Sequence, residues 1–411
     1  MANKFQNGLL LSTSIAGRGG HLFSRWLVEW LTQVVGWTLR DEDPTDSSWT
    51  DVEASGSGDG ATTANADRID MSGSSKTDWD TDDRGKYITI TGITGTAAEV
   101  EKNGIYRILD VLAGNILVLD IKRGVHEDGL PDGKSFSWRL WDGSATYIPD
   151  PSKYAVVRAA YSHTPSEPNF DIRLLTTATG GAWSGFPSIA IGPFGTWNNS
   201  SHAWDDSRNT SQKNPTTTGA STVVDTYVWA FGTDDHAVIC YWNQTNNVPN
   251  FIYLGEIAVD DTSVDTNPGV IVYGGAGSAN PDVWPNMFGY ANGGQVEDSG
   301  RGMSALPSDD TEVTYYLQVP TIPVGVNNHV LGTGSQRMSS WSRYLYRVEI
   351  ELECRTSGHM EHRGEFKDCW MTSKANQNLM AFGDGPAPDF YLHMFGGFAA
   401  TWNGSSIHVQ K

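Results

Sequence analysis

Between Thr222 and Val259 the chain reads TVVDTYVWAFGTDDHAVICYWNQTNNVPNFIYLGEIAV, a stretch that leaves few folds open to it. Two runs, Thr222–Phe231 and His236–Trp242, are dense in Val, Ile, Tyr and Trp, which suit a pleated, half-buried surface. They flank Gly232-Thr233-Asp234-Asp235, a composition suited to a tight hairpin turn. A third run, Phe251–Val259, follows a polar loop. In the first run Tyr227, Trp229 and Phe231 fall on one face and Val224, Val228 and Ala230 on the other, so neither face is polar. Such a strand needs cover on both sides: one from a second sheet, the other from a helix, a second domain or a neighbouring subunit.

The rest of the chain agrees with a mainly β class. Forty-five Gly among 411 residues, with 16 Trp, 15 Tyr and 14 Phe, fit short strands joined by many turns, and the length allows two or three cores. Acidic residues outnumber basic ones by 48 to 28, a formal charge of −20 that repels nucleic-acid phosphates and anionic lipid. Neither a nucleic-acid partner nor membrane insertion is therefore expected. Cys240, Cys354 and Cys369 are too few and too scattered for a disulfide framework. The apolar Leu9-Leu10-Leu11 is too short and too interrupted to read as a signal peptide, so synthesis in a cytoplasm is expected.

In chain order, residues 1–20 read as an extended polar arm, ordered only if something outside its own domain holds it. His21–Trp37 reads as one amphipathic helix, with Phe23, Trp26, Leu27, Trp30, Leu31 and Val34 on a single stripe and Gly36 as its stop. Residues 1–40 thus form an arm and helix, 41–84 an acidic Gly/Ser-rich loop, and 85–150 a small β-domain. Residues 151–411 form a larger β-sandwich-like domain with long loops at 192–221 and 260–311. The stripe has two readings. Phe23, Trp26, Leu27, Trp30 and Leu31 are candidate assembly contacts for another chain, or they pack on the protein's own sheet.

No G-x-S-x-G elbow occurs. Asp78-Trp79-Asp80-Thr81-Asp82-Asp83 carries the alternating carboxylates of a calcium loop, but the sixth position is Asp83 and the twelfth Thr89, so a solvated acidic turn is preferred. Cys354, His359, His362 and Cys369 have ligand chemistry for zinc without a finger's spacing, and a buried structural thiol explains Cys354 more simply. Paired Asp residues suit turns as well as glycoside hydrolysis. Trp183, Trp197 and Trp204 are candidate glycan contacts, since indoles stack on sugar rings; core packing is the competing reading. No metal, cofactor or catalytic residue is assigned.

Three segments resemble virion structural proteins of tailed bacteriophages. GKYITITGITG with NGIYRILDVLAGNILVLD (85–95 and 103–120) is similar to a small β-module of phage tail and head proteins. TYVWAFGTDDHAVICYWN with FIYLGEIAV (226–243 and 251–259) and HRGEFKDCWM (362–371) are the others. The resemblance implies a non-enzymatic component of a tail, neck or baseplate region that forms a homo-oligomer and assembles with other virion proteins. The alternative is a receptor-binding or glycan-degrading tail protein that engages host surface glycan. Neither implies a cofactor.

Overall fold

The alternation of β-branched and aromatic residues with short polar turns forces extended structure almost throughout. The computed structural model describes residues 4–11, 19–43, 52–59, 67–95, 100, 102–120, 135–141, 154–160, 171–176, 189–207, 226–243, 248–258, 270–276, 302–304, 315–318, 346–354, 360–372, 379–382, 389–393 and 406–410. Among them lie 23 strands and one α-helix, so the mainly β class holds. None of the described helices is long and apolar enough to cross a membrane.

The elements in order are β1 (Lys4–Leu11), α1 (Gly19–Glu29) with a π-helical extension over Trp30–Val35, β2 (Thr38–Glu42), β3 (Ala54–Asp59), β4 (Arg68–Asp70) and β5 (Tyr87–Thr91). They continue with β6 (Gly104–Leu112), β7 (Ile116–Leu119), β8 (Ser135–Trp141), β9 (Tyr154–Arg158), β10 (Asp171–Thr176), β11 (Ile189–Asn198), β12 (Ala203–Ser207), β13 (Thr226–Gly232) and β14 (His236–Asn243). The last nine are β15 (Val248–Ala258), β16 (Val270–Ala276), β17 (Gly302–Ser304), β18 (Tyr315–Gln318), β19 (Tyr346–Cys354), β20 (Met360–Thr372), β21 (Leu379–Phe382), β22 (Asp389–His393) and β23 (Ser406–Gln410). The chain divides into two compact units, one of residues 1–160, 174–189 and 219–234, the other of 161–173, 190–218 and 235–411.

In the first unit a six-stranded sheet runs β3-β8-β5-β6-β7-β4 with antiparallel neighbours. Its core is built from Ile88, Ile90, Tyr106, Ile108, Leu117, Leu119, Phe136, Trp138 and Leu140, joined by Ile69, Met71, Trp79 and Ile93. The Tyr106 phenol is sealed in by it. Burial pushes its pKa up, and its hydroxyl donates to the Lys102 carbonyl at 2.7 Å.

Lys4–Leu11, within the expected arm, departs from expectation. Lys4–Leu11 pairs antiparallel with β13, Phe5 opposite Phe231 and Leu10 opposite Tyr227, so the unit's own strand holds this segment. The physical reason is in its alternation: Leu9 and Leu11 are buried, and the Gln6 side chain acts as a piece of backbone. Its amide donates to the Ile105 carbonyl at 2.9 Å, and its carbonyl accepts from Ile105 N at 3.1 Å, satisfying a peptide unit of β6.

The helix stops where Gly36 was read as its end. Gly36 has φ +96°, and both Gly36 N and Trp37 N donate to the Leu31 carbonyl, at 3.0 and 2.8 Å. Its polar side is buried too, with Arg25 and Glu29 as enclosed as the apolar stripe. β13, apolar on both faces, is covered accordingly, with Val228, Ala230 and Phe231 buried. A Cβ on Gly232 at its end would meet Val35 at 2.8 Å and Trp30 at 2.9 Å, so the helical segment lies directly against it.

The segment 41–84 is not one loop. It carries β3 and β4 as well as the start of a capped 3₁₀ turn, and β3 is ASGSGD, a composition that signals turn. Small residues are required there because a Cβ on Gly56 would lie 1.9 Å from Ser75 Oγ and 3.1 Å from the Trp138 ring. Packing beneath Trp138 and Phe136 overrides propensity. Likewise β11 and β12 fall within the expected loop 192–221, and β16 and β17 within 260–311.

In the second unit the order is β14-β15-β20-β23-β22-β21, with β16 also on β15 and β19 also on β20, every pair antiparallel. β15 is therefore the hub that Phe251–Val259 foreshadowed.

Candidate functional site

Two clusters of buried charge stand out, one in each unit, and neither was singled out in the sequence. In the first unit Glu29 is 1% exposed and sits on the polar side of α1. Arg25 reaches it from one turn back at 3.1 Å, Arg139 of β8 donates Nε to Oε1 at 2.9 Å, and Thr89 of β5 donates Oγ1 to Oε1 at 2.8 Å. The Trp141 indole N–H donates to Thr89 Oγ1 at 3.0 Å, and the Arg25 guanidinium lies 5.0 Å from the Trp141 ring centroid. Tyr87 stacks on Trp141 with centroids 4.7 Å apart. This network ties the helix to the middle of the sheet. Two arginines around one carboxylate compensate a charge that would otherwise be too costly to bury.

The second cluster gathers where β14, β15 and β20 meet. His236, the first residue of β14, is 2% exposed. Its Nδ1 is 2.7 Å from Asp235 Oδ1, and its Nε2 is 3.2 Å from Asp368 Oδ2, a charge contact whose angle is too bent for a hydrogen bond. Lys367 Nζ joins the other side, donating to Asp235 Oδ2 at 2.7 Å and to the fully buried Glu256 Oε2 at 2.9 Å. Below them Tyr253 stacks on His236 at 5.8 Å and on Phe366 at 4.5 Å, donates its hydroxyl to the Glu256 carbonyl and accepts from Lys367 N at 3.2 Å.

Backbone geometry makes this gathering feasible. Gly255 pairs with His236 and has φ +117°; a Cβ there would lie 2.3 Å from the Asp235 carbonyl oxygen and 2.6 Å from His236 Cα. Asp368 also takes a positive φ, +55°, which aims its carboxylate across the strand. Gly255→Ala is expected to destabilise the second unit by at least about 2 kcal/mol, through left-handed strain plus a backbone clash. Equilibrium denaturation monitored at this unit checks it, and an unchanged midpoint would show that β15 can shift without cost.

Charge governs the protonation of the cluster. Burial, the largest effect on His236, favours the neutral ring, but the hydrogen bond and charge of Asp235 together with the nearby charge of Asp368 outweigh it and hold the pKa above the ordinary value. Lys367 is likewise held up: burial lowers it, and Asp235 and Glu256 more than reverse this. For Asp235 burial acts upward, and His236 and Lys367 drive it well below the usual carboxylate range. With both ring nitrogens facing carboxylates and the imidazole enclosed, the arrangement holds the start of β14 to β20.

The residues singled out in the sequence lie as follows. Phe23, Trp26, Leu27, Trp30 and Leu31 are each 0% exposed within this chain, with Trp26 stacked on Trp30 at 5.8 Å. They are core side chains and offer no surface to a partner. Trp197 is buried and cannot serve as a sugar platform; its backbone N–H donates to Asp171 Oδ2 at 2.8 Å, and its ring meets the half-buried Trp204 edge-on at 5.0 Å. Trp183 lies outside the described residues.

In the acidic stretch, Asp80 and Asp83 form a capping box around the 3₁₀ turn Thr81–Asp83. Buried Asp83 is held by Lys86 at 3.0 Å and Lys76 at 3.4 Å, so lysines occupy the place a cation would need, while Trp79 is drawn into the core. Strand register also separates the zinc candidates. Cys354 ends β19, next to Glu353, which pairs with Met360, whereas Cys369 precedes Trp370, which pairs with Arg347 near the other end. That is about 20 Å at roughly 3.3 Å per residue, far beyond a shared metal. His359 lies outside the described residues. Among the described residues no group of three or more His, Cys, Asp and Glu side chains is placed to hold a metal.

Alternating apolar strands were the signal the sequence offered, and both clusters interrupt it: Glu29 on an apolar helix, Lys367-Asp368 inside GEFKDCWM. A charged pair within an otherwise buried pattern was the legible trace. No family model matches this chain, and neither a curated protein nor a solved structure does.

Proposed function

We propose that this protein is a structural component of a bacteriophage virion, in the tail, neck or baseplate region, that assembles with copies of itself and with other virion proteins and has no chemistry of its own. The virion part rests on the resemblance of residues 85–95, 103–120, 226–243, 251–259 and 362–371 to phage structural modules. The assembly part rests on β3. This strand ends the six-stranded sheet, pairs with β8 in unbroken register from Ala54–Leu140 to Asp59–Ser135, and has no described strand on its other side.

Monomeric proteins blunt such edges with Pro, Lys or a bulge, because an open row of amide and carbonyl groups recruits another chain. β3 has none of these, and Ser55 and Ser57 are exposed on it. Antiparallel self-pairing about Gly56 and Ser57 places Ala54 opposite Asp59 and Ser55 opposite Gly58, with no like charges facing one another. The buried stripe of α1, in contrast, contributes rigidity to the subunit that carries this edge.

The test compares the native chain with the double variant Ser55→Lys, Ser57→Lys by sedimentation velocity. The native chain is expected to sediment as a multimer and the variant as a monomer, with the melting temperature shifted by no more than a few degrees since both side chains are exposed. A variant that keeps the native multimer removes β3 from the interface.

A further inference from the structure

The cluster around His236 has a property that does not depend on what the protein assembles into. A neutral imidazole carries one N–H donor and one lone pair, while an imidazolium carries two donors. His236 faces a carboxylate oxygen at each nitrogen, Asp235 at 2.7 Å on Nδ1 and Asp368 at 3.2 Å on Nε2. Only the imidazolium sets a positive charge between the two carboxylates while donating to Asp235. A neutral ring gives up that charge in either tautomer, leaving the carboxylates on both sides of a buried imidazole without it.

The two contacts are unequal. Asp235 is further fixed by Lys367, whereas Asp368 stands on left-handed backbone and is the more exposed of the two carboxylates. We propose that His236 is a proton-operated clasp that fastens the start of β14 to Asp368 of β20 when protonated, and releases Asp368 when it loses its proton. The groups facing it are Asp235 on its own strand, Lys367 and Asp368 from β20, and Tyr253 with Glu256 from β15. Lys367 keeps its charge through neutral pH and continues to bind Asp235 and Glu256, so release is confined to the Asp368 side.

The sign follows from the ring's elevated pKa. Its stabilising contribution is complete below the unfolded value of 6.5 and declines as pH rises through the higher folded value. The clasp therefore opens on the alkaline side. On the acid side the depressed Asp235 keeps its own bond to the ring to well below the ordinary carboxylate range.

Hydrogen exchange of the full chain between pH 6 and pH 9, corrected for intrinsic rates, reads the clasp directly. Protection of amides in 364–370 is expected to fall several-fold across that range in the native chain, to be low and independent of pH in His236→Gln, and to show a weakened dependence in Asp368→Asn. A ring titration of His236 by NMR on the native chain supplies a test that needs no variant, with a midpoint above 6.5 expected. Protection in 364–370 that does not change with pH, or a ring that titrates at or below 6.5, overturns the proposal.

Discussion

Replacing Glu29 with Ala is expected to destabilise the first unit by about 3–5 kcal/mol, the range found when one partner of a buried ion network is removed. The variant strands Arg25, 3% exposed, and most of Arg139, and it deprives Thr89 Oγ1 of the acceptor that orients it for the Trp141 indole. Glu29→Gln keeps the shape and one acceptor oxygen, and a smaller loss of about 1–3 kcal/mol is expected. Urea denaturation followed by tryptophan fluorescence measures both. A loss below about 1 kcal/mol for the Ala variant would mean that the cluster behaves as an exposed surface pair. Replacing Arg25, Glu29 and Arg139 together by apolar residues of similar volume is expected to cost much less than the single change.

The second large effect belongs to Trp26. Trp26→Ala opens a cavity between α1 and its surroundings and takes away the ring stacked on Trp30, for an expected loss of about 3–5 kcal/mol. Because Trp26 and its stripe neighbours Phe23, Leu27, Trp30 and Leu31 are enclosed in their own chain, the variant's folded fraction should keep the native oligomeric state. Calorimetry paired with sedimentation separates the two outcomes. A variant of native stability that no longer assembles would return these residues to an intermolecular role.

How far the sequence could be read depended on whether a segment's own residues determine its structure. The strands between Tyr227 and Ala258, β5, β6 and β7 follow from runs dense in apolar β-branched and aromatic residues, and Gly36 ends the helix because only a residue at ease with positive φ fits there. β3 was hidden because Gly and Ser are chosen for what lies above them, the Trp138 and Phe136 rings and Ser75, and that contact is made 81 residues away in the case of the Trp138–Ser57 bond. β1 was hidden for the same reason, its partner β13 lying more than two hundred residues downstream. The candidate sites were less legible still. Periodicity marked Trp26 and Trp30 correctly as one stripe, but could not say that the opposite face, Arg25 and Glu29, is buried as well. His236 and Asp368 meet across a third of the chain, and only the register of β14, β15 and β20 brings them together.

The central claim is that this chain assembles, and its mass in solution tests that most directly. Light scattering over a concentration series is predicted to give a stable integer multiple of the 44.8 kDa chain mass for the native protein. A mass of 44.8 kDa at every concentration would contradict self-assembly through β3.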